Sequence, residues 1–306
     1  MLAYSKETSS YTYQGLERNQ SRKYLSCSVS GGRTSGMMAY QLKQQYPDTA
    51  FVFANTGSED QETLDFLHRI DKAFDLSIVW LEAVFNGYSN PLTFKVVDYN
   101  TASRNGQPFE AAVKRFGLPN ATFKHCSREL KKNVINRYFK SIGVGVRDRF
   151  TAIGIRADEI DRFSASAEKD GIVYPLMDAG ITKKDVFDFW HTHKDLDLNL
   201  PTARGNCTFC WKKSENKLRS LAYTNPEVFD TPLRLESQYT AHFPESQARL
   251  RDPQRNYLYR GYKSAQWFLD NASDKLAKDD REEWLVAQGV TNQELDLSPC
   301  ESCEPW

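Results

Sequence analysis

Hydrophobic and polar positions follow two periods over roughly the first two-thirds of the chain. Short apolar runs bounded by turn residues predict strands at Tyr24–Val29, Ala50–Ala54, Ser77–Val84, Arg149–Ile155 and Gly171–Tyr174. Apolar residues at helical spacing predict helices at Thr34–Gln45, Gln61–Phe74, Pro108–Phe116, Ser127–Ile142 and Lys183–His193. Strands alternating with helices predict an α/β fold, a parallel twisted sheet with helices on both faces. From about Pro201 the pattern changes. Pro, Arg, Tyr and Trp become frequent, and shorter helices are expected at Tyr257–Asn271 and Asp279–Ala287. The organisation read from this is a loose polar arm over residues 1–20, an α/β domain over 21–200, and a smaller, mainly helical, Cys-containing region over 201–306 that packs on it.

Composition narrows the function classes. The chain has 306 residues, with Lys+Arg and Asp+Glu both at 40, so net charge gives no sign of a protein that coats nucleic acid or membrane. No apolar run approaches the roughly 20 residues of a membrane span, and the N-terminus lacks the apolar core of a signal peptide. A cytoplasmic location is expected. There the six cysteines are better suited to metal binding or reactivity than to disulfides.

In parallel sheets ligands gather at the carboxyl ends of the strands, near the switch in strand order. Three polar or glycine-rich segments fall at such ends. The first is Ser28-Val29-Ser30-Gly31-Gly32-Arg33-Thr34-Ser35-Gly36, a strand-to-helix turn. Glycine lets backbone approach a ligand, and a helix start offers N–H groups and partial positive charge, so the turn suits phosphate. It has neither Walker nor dinucleotide-fold spacing. The second is Asn55-Thr56-Gly57-Ser58-Glu59, whose hydroxyl and exposed backbone suit a ribose. The third is Gly154-Ile155-Arg156-Ala157-Asp158-Glu159, extended to Arg162. It brings guanidinium to a strand end, for bidentate phosphate contact or for an ion pair with Glu159. Between them lies His125-Cys126-Ser127-Arg128-Glu129-Leu130-Lys131. Arg128 and Lys131, three apart on a predicted helix, share a face, either as an anion clamp or as a solvated basic surface.

The first turn resembles the PP-loop, Ser-Gly-Gly-x-Asp-Ser, of ATP pyrophosphatases and the phosphoadenosine phosphosulfate (PAPS) reductase family. Thr34 stands where those enzymes carry Asp. The Asn-Thr-Gly, Cys-x-x-x-x-Lys and Gly-x-Arg elements, and Tyr174-Pro175-Leu176 followed by Asp185-Val186, resemble further family elements in the same chain order. The resemblance implies the adenine-nucleotide alpha-hydrolase-like, Rossmann-type fold. It implies ATP or PAPS as ligand, with Ser30, Gly31, Gly32, Arg33, Thr34, Ser35, Asn55, Thr56, Gly57, Gly154, Glu159 and Arg162 around it. Cys126, Arg128, Lys131 and Arg156 would be catalytic. Mg²⁺ would accompany ATP, although Thr34 removes a carboxylate near it.

Cys207-x-x-Cys210 and Cys300-x-x-Cys303 supply four thiolates, the number that a tetrahedral zinc or an iron–sulfur cluster requires. The pairs lie much farther apart than in a zinc ribbon. A redox Cys-x-x-Cys or unrelated thiols are the other readings. By resemblance to iron–sulfur members of the family, Cys126 joins Cys207 and Cys210 around a [4Fe-4S] cluster, with a tail cysteine as fourth ligand or one iron open. Zinc on the two pairs, with Cys126 as free nucleophile, is the competing arrangement. Cys27, inside the first strand, is expected to be a small buried residue. His191 and His193 are two apart and point to different helix faces, so they form no ligand pair.

The expected function is that of an enzyme acting at the α-phosphate of an adenine nucleotide or at a sulfur attached to it, in sulfur transfer or adenylation of an acceptor. Two alternatives stand beside it. One is a thiol-dependent sulfonucleotide reductase served by a thioredoxin-like reductant, although the chain lacks the family's terminal Glu-Cys-Gly-Leu-His. The other is a catalytically silent nucleotide-binding module of a nucleic-acid modification or defence system. Arg249–Arg260, which interleaves Arg with Tyr257 and Tyr259, could face such a polynucleotide or pack as surface.

Overall fold

Three antiparallel strands open the chain: β1 (Leu2–Ser5), β2 (Ser10–Tyr13) and β3 (Ser21–Arg22). This is a computed structural model, and it describes residues 1–14, 21–87, 92–121, 123–201, 204–205, 207–239 and 256–274. The N-terminal residues were expected as a loose arm, and the described ones are instead paired and anchored. Ser10-Tyr11-Thr12-Tyr13 alternates in the way a half-buried strand does. Tyr11 is 2% exposed and belongs to the main core. The Tyr13 hydroxyl donates to Asp178 at 2.5 Å.

The main sheet contains β4 (Tyr24–Ser28), β5 (Ala50–Asn55), β6 (Val79–Val84), β7 (Thr93–Val97), β8 (Arg149–Ile153) and β9 (Ile172–Val173), in the order β7-β6-β5-β4-β8-β9. Only β7, on one edge, is antiparallel. Both faces are covered, so the central strands carry apolar residues on both sides. Leu25, Cys27, Phe51, Phe53 and Trp80 pack with α1 (Arg33–Gln45), α2 (Gln61–Ala73) and the helix Lys183–Thr192. Val52, Ala54, Leu81 and Ala83 pack on the other face with α3 (Gln107–Phe116) and the helix Asn133–Ser141. The same second core takes in the C-terminal helices Glu215–Thr224, Asp230–Tyr239 and Ala265–Asp270. Cys27 is fully buried, as its place in the strand predicts.

Two helices depart from the pattern read in the sequence. Ser127–Ile142 is not one α-helix. A short α-turn, His125–Ser127, leads into a π-helix, Arg128–Lys132, and then into Asn133–Ser141. Tyr257–Asn271 is broken at Gly261, whose φ of +67° is left-handed, and helix resumes at Ala265 with Ser264 accepting from the Trp267 N–H. Tyr259 is fully buried in the second core and offers no stacking face, whereas Tyr257 is partly buried and Arg260 is exposed. The helix expected at 279–287, the residues 249–255, and Cys300 and Cys303 lie outside the described residues. Among the described residues no helix is long and apolar enough to cross a membrane.

Candidate functional site

From β4 the chain crosses to β5 on one side, and β8 is laid down on the other. A crevice therefore opens beyond the carboxyl ends of β4 and β8. A cavity of about 170 Å³ occupies it, walled by Ser28 at the end of β4 with Val29 and Ser30 just after it, and by Ile153 at the end of β8 with Gly154 just after it. Ser35, Thr56, Cys126, Lys131, Arg162, Cys207 and Cys210 also line it.

The Ser30–Ser35 turn is held by its own hydroxyls. The Ser30 N–H donates to Ser35 Oγ at 3.0 Å, the two Oγ atoms are 3.0 Å apart, and Ser35 Oγ donates to the Gly32 carbonyl at 3.0 Å. Gly31 sits at φ +82°, and a Cβ there would lie 2.4 Å from Thr63 Cγ2. Gly32 is the N-cap of α1 and has no side chain to offer the first-turn N–H groups. Gly154 lets β8 approach Ser35: its Cβ would lie 3.3 Å from Ser35 Cα. The two ends of the crevice thus meet through glycine.

The charged residues named from the sequence separate into two sets. Lys131 and Arg162 line the cavity. Arg33 does not. It forms a bidentate pair with Asp197, at 2.7 and 3.0 Å, and donates to the Leu198 carbonyl. Arg128 is largely exposed and bound to Glu129 at 2.7 Å. The π-helix between Arg128 and Lys132 breaks the three-residue face that would have placed Arg128 beside Lys131. Arg156 is buried and clasped by Asp158 at 2.9 and 3.1 Å, with Thr34 Oγ1 at 3.4 Å. Glu159, 1% exposed, accepts from Arg162 and from the Arg156 backbone N–H. Arg156, Glu159 and Thr34 are therefore linked to one another outside the cavity lining, and Glu159 joins them to Arg162, which lines it.

The Asn55–Glu59 turn divides similarly. Asn55 is wholly internal, donating to Glu82 at 2.6 Å and to the Ser103 carbonyl at 2.8 Å while accepting from the Gly57 N–H. The turn at Gly57 has φ +77°. Thr56 faces the cavity. Its N–H and hydroxyl donate to the Glu59 carboxylate, which also accepts from the Ser58 N–H.

The Cys207–Cys210 loop docks on this turn. Glu59 and Cys207 form an isolated antiparallel bridge, and the Thr208 N–H donates to the Ser58 carbonyl at 3.0 Å. The Cys207 thiol donates to Glu59 Oε1 at 3.8 Å and lies 3.4 Å from Thr56 Oγ1. The residue is partly buried and lines the cavity. Burial, and then the Glu59 carboxylate, push the Cys207 thiol far above its ordinary value, against a weaker pull from Lys131. The thiol is neutral at pH 7. The unfolded chain releases this proton first, so this group's contribution to stability falls as pH rises above about 9. Native Cys207 is expected to react with iodoacetamide at pH 8 at least about 100-fold more slowly than in the denatured chain. Peptide mapping checks this, and equal rates would contradict it.

Cys126, Cys207 and Cys210 thus line one cavity. Among the described residues, however, no group of three or more His, Cys, Asp or Glu is arranged to hold a metal ion. With Cys207 engaged by Thr56 and Glu59, the three thiols do not by themselves fit a four-thiolate centre.

Several cavity residues carry no sequence signature. Phe109, Phe209, Trp211 and Leu258 add an apolar lining, and Lys212 adds a cation. Phe109 and Phe209 meet edge to face at 5.4 Å. Trp211 is 3% exposed, and its Nε1 has no hydrogen-bond partner among the described residues. The one available signal was Trp-Lys-Lys directly after the Cys-x-x-Cys.

No protein-family model matches the chain. It is 30% identical over 289 residues to the uncharacterized nin region protein ORF290 of Escherichia phage lambda, covering 90% of this chain and 93% of that protein. It is 20% identical over 158 residues to an uncharacterized protein of Methanocaldococcus jannaschii, covering 50% of this chain and 33% of the other. A solved phosphoadenylyl-sulfate (PAPS) reductase from Candida auris, in complex with phosphate, aligns at 16% identity and a TM-score of 0.34, covering 57% of this chain and 74% of that one. The chain belongs to the family of the phage lambda nin region protein ORF290.

Proposed function

We propose that this member of the ORF290 family is an enzyme that binds an adenine nucleotide in the strand-end cavity. It acts at the α-phosphate or at a sulfur attached to it, in sulfur transfer or adenylation of an acceptor. One observation carries the reading: Ser30 and Ser35 of the turn, Lys131 and Arg162 line the same cavity as Phe109, Phe209 and Trp211. An anionic head and a flat, apolar ring would match these two kinds of lining.

The backbone amides of Gly31 to Ser35 and the two serine hydroxyls would hold the phosphoryl oxygens. Lys131 and Arg162 would stabilise charge that develops in the transition state. Arg156, through Glu159 and Thr34, would position Arg162 and the start of α1 rather than touch the ligand. Mg²⁺ would accompany ATP.

Cys126 supports a second reading, a sulfonucleotide reductase, because its thiol shares the cavity with Lys131. Its thiolate would attack the sulfur of a sulfonucleotide. The bond from sulfur to the phosphate oxygen would break, the nucleotide would leave as a phosphate, and S-sulfocysteine would remain. A thiol reductant such as a thioredoxin-like protein would then release sulfite. Incubation with ATP and Mg²⁺, and separately with PAPS and a dithiol, separates the readings. Pyrophosphate release with a nucleic-acid or sulfur acceptor supports the first, and sulfite release the second. Tight nucleotide binding with neither product supports a silent nucleotide-binding module.

A further inference from the structure

A second, smaller cavity lies beneath β8, on the side of the helix Asn133–Ser141. Its volume is about 70 Å³, and Lys132, Asn136, Arg149, Thr151 and Asp170 line it. It shares Ser28, Ile135 and Ile153 with the main cavity but none of the latter's cysteines or charged side chains. Its central group is Arg149, 3% exposed. The guanidinium lies over the Phe139 ring at 3.9 Å. Its Nε donates to Thr151 Oγ1 at 3.3 Å and one terminal nitrogen to Asn136 Oδ1 at 2.8 Å. The other terminal nitrogen has no hydrogen-bond partner among the described residues.

All of Arg149's described partners are neutral. A buried guanidinium without a carboxylate is costly, and its planar fork is made for oxyanions. A second guanidinium, Arg22, lies nearby, itself beside the carboxylates of Asp148 and Asp170. Burial, together with the positive charge of Arg22, lowers the Arg149 pKa to about 10. Arg22, itself 6% exposed, donates to the carbonyl of Val146, a residue of the same cavity wall. Lys132 adds an ammonium. Asp170 is the acidic residue on the wall, and it is already engaged by Lys132 at 3.7 Å and by the Ser166 hydroxyl at 3.2 Å.

We propose that this cavity is a second binding site, distinct from the nucleotide cavity, for a small tetrahedral oxyanion of the phosphate or sulfate class, with Arg149 as its principal donor. Lys132 and the Asn136 amide complete the donor set. Oxyanion binding supplies the negative charge that the fold leaves out beside Arg149.

The test reads Arg149 itself. Its Nε–H, held by Thr151, gives a ¹H–¹⁵N signal that Arg149→Lys removes and so assigns. Titration of the unmodified protein with inorganic phosphate, and separately with sulfate, is expected to move this signal to saturation, while acetate leaves it in place. Lys132→Met, a change at a partly exposed side chain, is expected to weaken the titration by at least about five-fold, as removal of a charged hydrogen-bond donor does. Lys131→Ala, which disables the nucleotide cavity, is expected to leave it unchanged. A signal that ignores both anions would overturn the proposal. So would one that follows acetate equally well, or one whose response disappears with Lys131→Ala and thereby reports the main cavity. The nucleotide reading can fail without affecting any of these outcomes.

Discussion

Gly31→Ala is expected to destabilise the protein by about 2–4 kcal/mol and to abolish measurable nucleotide binding. The left-handed φ of +82° alone costs an L-residue about 1–2 kcal/mol. The added methyl would also meet Thr63 Cγ2 at 2.4 Å and Leu67 Cδ1 at 3.3 Å. Thr63 is β-branched, fully buried and part of α2, so its side chain has little freedom to yield. Overpacking of this kind adds about 1–3 kcal/mol. Relief comes only by moving the turn away from α2, and that movement pulls the Ser30–Ser35 hydroxyl bonds apart. Urea unfolding and calorimetric titration check the two effects separately. A stable Gly31→Ala protein that binds nucleotide normally would show that the turn does not hold phosphate.

Lys131→Ala is expected to leave stability nearly unchanged while lowering nucleotide affinity about 10- to 100-fold, the range for one hydrogen bond to a charged group. Lys131 lines the cavity next to the thiols and reaches it from the π-helix, not from the core. Arg128→Ala serves as the contrast. Its guanidinium is bound to Glu129 at the surface, and its loss is expected to change affinity by less than about two-fold. Equal losses for the two variants would mean that the basic face acts as a diffuse field.

The sheet was legible because its central strands bury both faces and its helices carry regular apolar stripes. The half-exposed edge strand β7 was not, since Thr93-Phe94-Lys95-Val96-Val97 has a weak apolar signal and half of it faces solvent. The N-terminal strands were obscured by their polar residues, although Tyr11 and Tyr13 supply the packing. At the site, the backbone elements were easier to read than the side chains. Chain order located Ser30–Ser35, Thr56, Cys126 and Gly154 at one crevice. It gave no access to Asp197, which engages Arg33 across more than half the chain, so proximity to the loop suggested a ligand contact for Arg33 that its side chain does not make. Arg156 was readable as either a ligand or an ion-pair residue, and Asp158 and Glu159 support the second role. The π-helix has no propensity signature, so the separation of Arg128 from Lys131 emerged only with the fold. Trp211 and Leu258 come from irregular segments whose periodicity carries no information.

The central claim is that the amides at the start of α1 grip the phosphoryl groups of an adenosine compound. Backbone ¹H–¹⁵N spectra of residues 30 to 36, recorded during titration with a non-hydrolysable ATP analogue and with adenosine 3′,5′-bisphosphate, test it most directly. At least one of the two is expected to shift the Gly31, Gly32 and Thr34 amides together, with a single saturating affinity shared by the Trp211 indole. If those amides stay fixed under both ligands, or move only with bulk salt, the account is contradicted.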